Sequence, residues 1–478
     1  MSATNLDPEH RLKYMKDEAF QYVDFRFTDP LGIWHHMTFK AEHVNLDILE
    51  EGIMIDGSSI PGWRSIEDSD MIIKPDLNRC VKDVFATDPT LIIFCDAVDP
   101  HTQQGYNRDP RSIAKRAEEY LINSRIADTA YFGPEPEFFI FDAVHFENGG
   151  TYGFYQLTSA ETSIISGPLN GPSSFGTYNL GHRPTKGGGY APVQPVDSLH
   201  ELRAKMLSKL GRMGLKAEKH HHEVAQSQHE LGFEYDTLLR TADNLQIYKY
   251  VVRQVAHNNG KSATFLPKPI YGDNGSGMHV HQSLWADGRP LFSGNQYDHL
   301  SEEALYYIGG ILKHAKALTA FTNPTTNSFK RLVPGYEAPV YLAYSARNRS
   351  AAVRIPHTRS PKAKRVEVRF PDPTANPYLA LSAMLMAGLD GIKNKIHPGE
   401  AMERNLYDAK NHNLGPDQML CRSLTEALGN LDQDRAFLTE GGVFDDDQIN
   451  AFIEMKHQEI VELNRGPTPA EFQLYYSL

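Results

Sequence analysis

Apolar and polar positions alternate from Tyr22 to Phe27, with Val23, Phe25 and Phe27 on one side and Asp24 and Arg26 on the other, which predicts a β-strand. Alternation resumes over Ile33–Phe39 after Asp29-Pro30-Leu31-Gly32, so the two runs read as a hairpin. Leu91–Val98 is apolar throughout and suits a strand covered on both faces. At Asp109-Pro110 the period changes. A capping residue followed by proline opens a helix, and Ile113, Ala117, Tyr120 and Leu121 recur at helical spacing. A small β-rich unit is therefore expected over residues 16–104 and a larger one over 105–478.

In the larger unit strands alternate with helices. Tyr131–Phe141 reads as a strand, and Leu199, Leu202, Met206 and Leu210 share one helix face. Asn376-Pro377 opens a helix running through Leu379–Leu389. Ser166–Gly189 is rich in Gly, Pro, Ser and Asn and predicts a long loop, a kind of segment that is usually functional or mobile. There is no internal repeat and no low-complexity tail.

Composition narrows the class. The 478 residues allow two domains or one large domain with an appendage, and 40% hydrophobic with 23% charged residues excludes wholesale disorder. The net charge of −12 disfavours a general nucleic-acid coat. Three cysteines, Cys80, Cys95 and Cys421, are too few and too scattered for a disulfide scaffold or a zinc knuckle. The most apolar stretch, near Tyr378–Leu389, falls short of the ~18 residues that a membrane helix needs. Met1–Arg11 is polar and lacks the apolar core of a signal peptide. A cytoplasmic protein with neither membrane nor nucleic-acid partner is expected.

Nucleotide signatures are missing: there is no G-x-x-x-x-G-K-[ST], no G-x-G-x-x-G after a strand, and no G-x-S-x-G. The chemistry lies elsewhere. Glu135 and Glu137 are two apart in the strand Tyr131–Phe141 and point to one face, about 6.6–6.8 Å apart. They could each face a different divalent ion, or lie on a solvated strand face; the aromatic flanks favour burial, where unpaired carboxylates are costly. His220-His221-His222-Glu223 precedes Gln228-His229-Glu230. Adjacent histidines diverge, so Glu223 and Glu230 are the more attractive ligands, although the cluster alone reads as an exposed polar turn. Gly272–Ser283 combines a glycine-rich turn, suited to a small carboxylate or amino group, with His279 and His281 on one face of an emerging strand.

Lys330–Arg369 holds ten basic residues against Glu337 and Glu367, a local charge of 10 − 2 = +8 that leaves −12 − 8 = −20 for the rest. Interleaved Val353, Ile355, Val366, Val368 and Phe370 press several arginines against a core, where they need anionic partners. In Glu367-Val368-Arg369 acid and base share one strand face. Carboxylates, histidines and arginines together point to phosphoryl transfer with divalent ions.

These residues form a wider pattern. Asp56-Gly57-Ser58-Ser59, Glu135-Pro136-Glu137, His220–Glu223, Lys268-Pro269 through His281, Asn323-Pro324, Arg331 through Pro339, Asn348-Arg349-Ser350, Glu367-Val368-Arg369 and Asn376-Pro377-Tyr378 stand in order along the chain. With them the chain resembles the type I, bacterial-type glutamine synthetases over essentially its whole length.

The resemblance implies an α+β fold, with a small β-grasp-like N-terminal domain and a large catalytic α/β domain, assembled as a dodecamer of two six-membered rings with active sites between subunits. It implies ATP-dependent ligation of ammonia to L-glutamate through γ-glutamyl phosphate, with two or more Mg²⁺ or Mn²⁺ ions per site. It further implies that Glu137, Glu223 and Glu230 hold one ion and Glu135, His279 and Glu367 the other. Asn274, Gly275, Arg331, Arg349 and Arg369 would bind glutamate, while Glu218, His281, Ser283, Arg354 and Lys362 would serve ATP. Asp56 of the adjacent subunit would help bind and deprotonate ammonium, and Glu337 would close over the intermediate. Tyr407, in Asn405-Leu406-Tyr407-Asp408, would be a site for an adenylyltransferase.

The sequence departs from the family pattern in three places. Ser227 stands where glycine is usual before the glutamine, Lys186-Gly187-Gly188-Gly189-Tyr190 carries an extra glycine, and Ala409-Lys410-Asn411-His412 replaces a proline- and acid-rich continuation after Tyr407. Two other readings are a ligase joining glutamate to a larger amine and a non-catalytic ring-forming relative. Retention of both Asp56 and Glu337 favours ammonia, and the complete carboxylate set favours catalysis.

Overall fold

The alternating run at the N-terminus forms β1 (Tyr22–Thr28), which pairs antiparallel with β2 (Trp34–Lys40). With β3 (Ile53–Asp56), β4 (Asp70–Lys82) and β5 (Thr90–Val98) they make a five-stranded sheet ordered β2-β1-β5-β4-β3, in which β1 and β5 run parallel. The computed structural model describes residues 7–162, 181–407 and 415–478. The polar side of β1 does not face water. Asp24 and Arg26 are buried, Arg26 Nε lies 2.5 Å from Asp24 Oδ2, and its guanidinium sits over the rings of Trp34 and Tyr250. Tyr250 belongs to the helix Leu238–His257, so a distant element covers what would be the wet face of an isolated sheet.

The second sheet holds the chemistry. Its strands are β6 (Thr129–Phe141), β9 (Ala217–His222), β10 (Gln228–Phe233), β11 (Asp236–Thr237), β12 (Ser262–Thr264), β13 (Met278–Ala286), β14 (Arg289–Pro290), β15 (Tyr344–Ala346), β16 (Val353–Ile355) and β17 (Val366–Val368). The main path runs β15-β16-β17-β13-β6-β10-β9, and β7 (Ala143–Asn148) with β8 (Gly153–Thr158) forms a separate hairpin. Helices back this sheet. Pro110–Ser124 starts at Asp109, and Pro377–Lys393 starts at Asn376, whose side chain accepts from the Tyr378 N–H. The latter is nearly all buried, and no helix among the described residues is long and apolar enough to cross a membrane. Of the predicted long loop, residues 181–189 form neither helix nor strand, and the preceding part to 180 lies outside the described residues.

The first sheet meets the helices Pro110–Ser124 and Leu238–His257 through paired buried charge. Arg111, 2% exposed, bonds Asp76 and Asp96 at 2.7 Å and Asp243 at 3.0 Å, while Arg79 reaches Asp243 at 3.1 Å. Paired charges of this kind tolerate loss of one partner poorly. Beside them stands Asp109. Burial, and then the charge of Asp96, push its carboxyl up to about 6, and its Oδ1 has no hydrogen-bond partner among the described residues. An acid whose folded pKa is raised stabilises below its ordinary value, here 3.8, and loses that contribution as pH rises through about 6. Asn caps a helix as well as Asp does. Asp109→Asn should therefore gain about 1–3 kcal/mol at pH 8 and little at pH 4, read from urea midpoints.

Candidate active site

Side chains two apart on a strand share a face, and sheet register decides which rows become neighbours. Glu135 pairs with His279 across β6 and β13; His281 pairs with Glu367 across β13 and β17; Glu367 pairs with Arg354 on β16. In the other direction Glu137 pairs with Glu230 on β10, and Glu230 with His221 on β9. One sheet face thus carries a continuous band of acids, imidazoles and an arginine.

The band contains two groups able to hold a metal ion. Ligand atoms of Glu135, His279 and Glu367 lie within 4.8 Å of one another, as do those of His221, Glu223 and Glu230. His279 Nδ1 is 3.8 Å from Glu135 and 3.9 Å from Glu367, and His221 is 3.2 Å from Glu223 and 3.4 Å from Glu230. Glu137 stands across from Glu230, and its Oε2 accepts from Gln228 Nε2 at 2.7 Å and from the Gly277 N–H at 2.9 Å. Burial, then the charge of Glu230, push Glu137 up to about 8. Burial and the neighbouring Glu137 and Glu230 likewise raise Glu223 well above the ordinary range. A divalent cation would relieve both penalties, so the donor set fits one. The other group is poised differently. Burial alone would raise Glu367, but Arg369, His279, His281 and Arg354 hold it at about 2. Burial would also raise Glu135, yet His279 and His281 hold it far below the usual range.

The exposed polar turn expected at His220–Glu230 is not what forms. Glu223 is 8% and Glu230 5% exposed, and His222 is fully buried. The β9–β10 turn is roofed by the loop at Gly189, whose N–H donates to the Val224 carbonyl at 3.0 Å. A Cβ on Gly189 would come within 2.6 Å of the Glu223 carbonyl oxygen, so only glycine lets the loop lie this close.

A cavity of about 710 Å³ opens over the band, and Asn274, Gly275, Arg331, Glu337, Arg349, Arg354, Arg369 and Tyr407 line it as well. Arg331 is buried and donates to the Phe370 carbonyl at 2.9 Å and the Arg369 carbonyl at 3.2 Å, which fixes its fork at the cavity floor. Gly275 crosses above it, where a Cβ would lie 2.4 Å from the Pro267 carbonyl oxygen. Glu337 is exposed with a left-handed φ of +59°, and its Oε2 accepts from Asn274 Nδ2 at 3.2 Å. Tyr407 Oη lies 2.7 Å from the Glu337 carbonyl oxygen and 2.8 Å from that of Arg349. Residues 409–412, where the sequence departs from the family pattern, lie outside the described residues.

A second cavity of about 460 Å³ holds Glu218, Ser283 and Lys362, and it shares Glu135, Lys219, His281 and Arg365 with the first. Of the residues expected to serve ATP, His281 lines both cavities and Arg354 lines the first but not the second. Tyr131, Tyr235 and Trp285 add aromatic walls, with Tyr131 edge-on to both other rings. Asp56 lines neither cavity; its carboxylate accepts from the Ser58 N–H at 2.9 Å and from Ser59 Oγ at 2.6 Å.

Several site residues were not singled out from sequence. Gln228 sits two before Glu230, and Arg365 two before Glu367, so period-2 spacing from a chosen ligand would have found both. His221 was hidden by its neighbours, because only the pairing with Glu230 selects one histidine of three. The aromatic walls of the smaller cavity come from three separate segments and carry no local signal.

Known proteins share this architecture. Residues 19–100 match the model of the glutamine synthetase β-grasp domain, and residues 107–475 match the model of the glutamine synthetase catalytic domain. The chain belongs to the glutamine synthetase family. It is 58% identical to the glutamine synthetase of Rhizobium meliloti (strain 1021) over 467 residues, 98% of each chain. It is 54% identical to that of Escherichia coli (strain K12) over 476 residues, 99% of this chain and 100% of the other. Among solved structures, Plasmodium falciparum glutamine synthetase superposes with a TM-score of 0.88 at 32% identity, covering 97% of this chain and 98% of that one. The GmaS/ADP complex superposes at 0.81 and 26% identity, covering 98% and 99%.

Proposed function

We propose that this glutamine synthetase joins ammonia to L-glutamate at the expense of ATP, through γ-glutamyl phosphate, within the larger cavity, and that ATP enters through the smaller one. The observation that carries this reading is the junction of the two cavities at Glu135, Lys219, His281 and Arg365. A nucleotide whose base lies against Tyr131, Tyr235 and Trp285 would direct its phosphates to that junction, with Glu218, Ser283 and Lys362 along its path. Glutamate would sit beyond it, bound by Asn274, Gly275, Arg331 and Arg369.

Divalent ions, Mg²⁺ or Mn²⁺, would be held by Glu135, His279 and Glu367 and by Glu223 and Glu230, with Glu137 and His221 beside the second, and they supply counter-charge for phosphate. The protein's own groups do the rest. Arg349 and Arg354 stabilise charge on the moving phosphoryl group, and Glu337 closes the mouth so that ammonia meets the acyl phosphate before water does. Asp56 from a neighbouring subunit would hold ammonium and draw off its proton; that it lines neither cavity of its own chain supports that supply. We assign the small unit to residues 16–104 and the catalytic unit to 105–478, assembled as a ring dodecamer in the cytoplasm. Exposed Phe146 and Tyr155 on the β7–β8 hairpin and Phe472 and Tyr476 at the C-terminal helix support burial against other subunits. Tyr407 is the proposed acceptor for an adenylyltransferase.

Phosphate release should require glutamate, ATP and a divalent ion together, and ammonium should be strongly preferred to polyamines as the amine. Preference for a polyamine would overturn the assignment of the acceptor. Asp56→Ala and Glu367→Gln should each be inactive alone, and co-assembly of the two variants should restore turnover. No recovery in mixed rings would exclude a site shared between subunits.

A further inference from the structure

Behind the turn that carries Glu223, one buried carboxylate ties both flanks of the chain together. Glu161 is 1% exposed. Its Oε2 lies 2.8 Å from His222 Nε2 and accepts from the Ser227 N–H, also at 2.8 Å. Its Oε1 accepts from Ser198 Oγ at 2.7 Å, and its backbone carbonyl accepts from Gln226 Nε2 at 2.7 Å. His222 Nδ1 is in turn 2.6 Å from the Glu223 carbonyl oxygen. The residue just before Glu223 and the residue closing the turn are thus held by the same carboxylate oxygen, Oε2.

Ser227 needs such a hold. Its φ is +64°, a left-handed conformation that only glycine takes without strain, and it is fully buried with its Oγ 2.6 Å from Ser159 Oγ. Immediately beyond it, Gln228 donates to Glu137, and Glu230 follows two residues later on the same strand face. Any relaxation of Ser227 would shift Gln228 and Glu230, and any tilt of His222 would shift Glu223. An ordinary buried ion pair between Glu161 and His222 would stabilise the fold without this selectivity. The extra bonds to the Ser227 N–H and Gln226, on the far side of the turn, are what single out the turn's geometry.

We propose that Glu161 is a positioning residue for the divalent-ion site of Glu223 and Glu230, acting through His222 and Ser227. The proposal rests on assigning an ion to that group. Partners that orient metal ligands typically change affinity by about 10–100-fold when removed.

The test is a Mn²⁺ titration of the assembled, substrate-free protein, followed by electron paramagnetic resonance and calorimetry. Glu161→Gln should weaken one class of sites about 10–100-fold and leave the class containing Glu135, His279 and Glu367 unchanged. Adding Ser227→Gly to that variant should recover part of the loss, because glycine takes the left-handed conformation unaided. Glu230→Gln serves as the control. If Glu230→Gln loses the site class while Glu161→Gln binds like wild type, the positioning role is wrong and the metal assignment stands. If neither variant alters binding, the metal assignment falls and takes the proposal with it. Equal weakening of both site classes would mark Glu161 as merely structural and would also overturn it. Should Glu161→Gln fail to fold, His222→Leu cuts one tether and is read in the same way.

Discussion

Glu367→Gln is expected to lower turnover by about 10³-fold or more while leaving the large sheet folded. The carboxylate is 1% exposed and faces three partners at once: His279 at 3.9 Å, Arg354 Nη1 at 2.6 Å, and Arg369 Nη1 in a short ion pair. An amide of the same shape removes one anion from the Glu135–His279–Glu367 group. It also leaves two guanidinium groups facing a neutral side chain, and breaking a buried pair in this way costs about 3–5 kcal/mol. Both arginines line the cavity, so their forks would swing towards other anions and the loss would be felt in phosphate positioning as well as in metal binding. Steady-state phosphate release and Mn²⁺ binding measure the two consequences separately. Turnover within tenfold of wild type would show that the group does not hold the ion the reaction needs.

Glu337→Ala should behave differently: turnover should fall about 10²-fold, the KM for ATP should stay within about twofold, and native mass should be unchanged. Its carboxylate lies at the cavity mouth, bonded to Asn274, on a loop whose carbonyl is held by Tyr407. It does not line the second cavity, so nucleotide binding should not register its loss. With the mouth open, water should compete with ammonia for the acyl phosphate. The ratio of phosphate released to glutamine formed should therefore rise above one. Unchanged turnover, or a ratio that stays at one, would remove Glu337 from the closing role.

Local chemistry was legible in the sequence because its causes are local. The alternation at Tyr22–Phe27 and Ile33–Phe39 became paired strands, the apolar run ending at Val98 became a buried strand, and the caps at Asp109 and Asn376 mark where helices begin. The strand Glu135-Pro136-Glu137 presents both acids to one face, as two-residue periodicity requires. Sequence patterns of this kind depend on backbone geometry over a few residues, and no distant contact is needed to state them.

What surrounds those elements is set by contacts far along the chain. Arg26 is dry because Trp34 and Tyr250 lie against it, and the histidine-rich turn is buried because the loop at Gly189 and the carboxylate of Glu161 close on it. The membership of the two ion-holding groups follows from sheet register. Glu135 meets Glu367 only through β13, and Glu230 selects His221 from three adjacent histidines only through its pairing with β9. The sequence by itself determined which residues could carry acid, base and anion-binding chemistry, because residue type and short-range period are written in it. Only the tertiary structure decided which of them share a site, because strand pairing brings together side chains that the chain holds hundreds of residues apart.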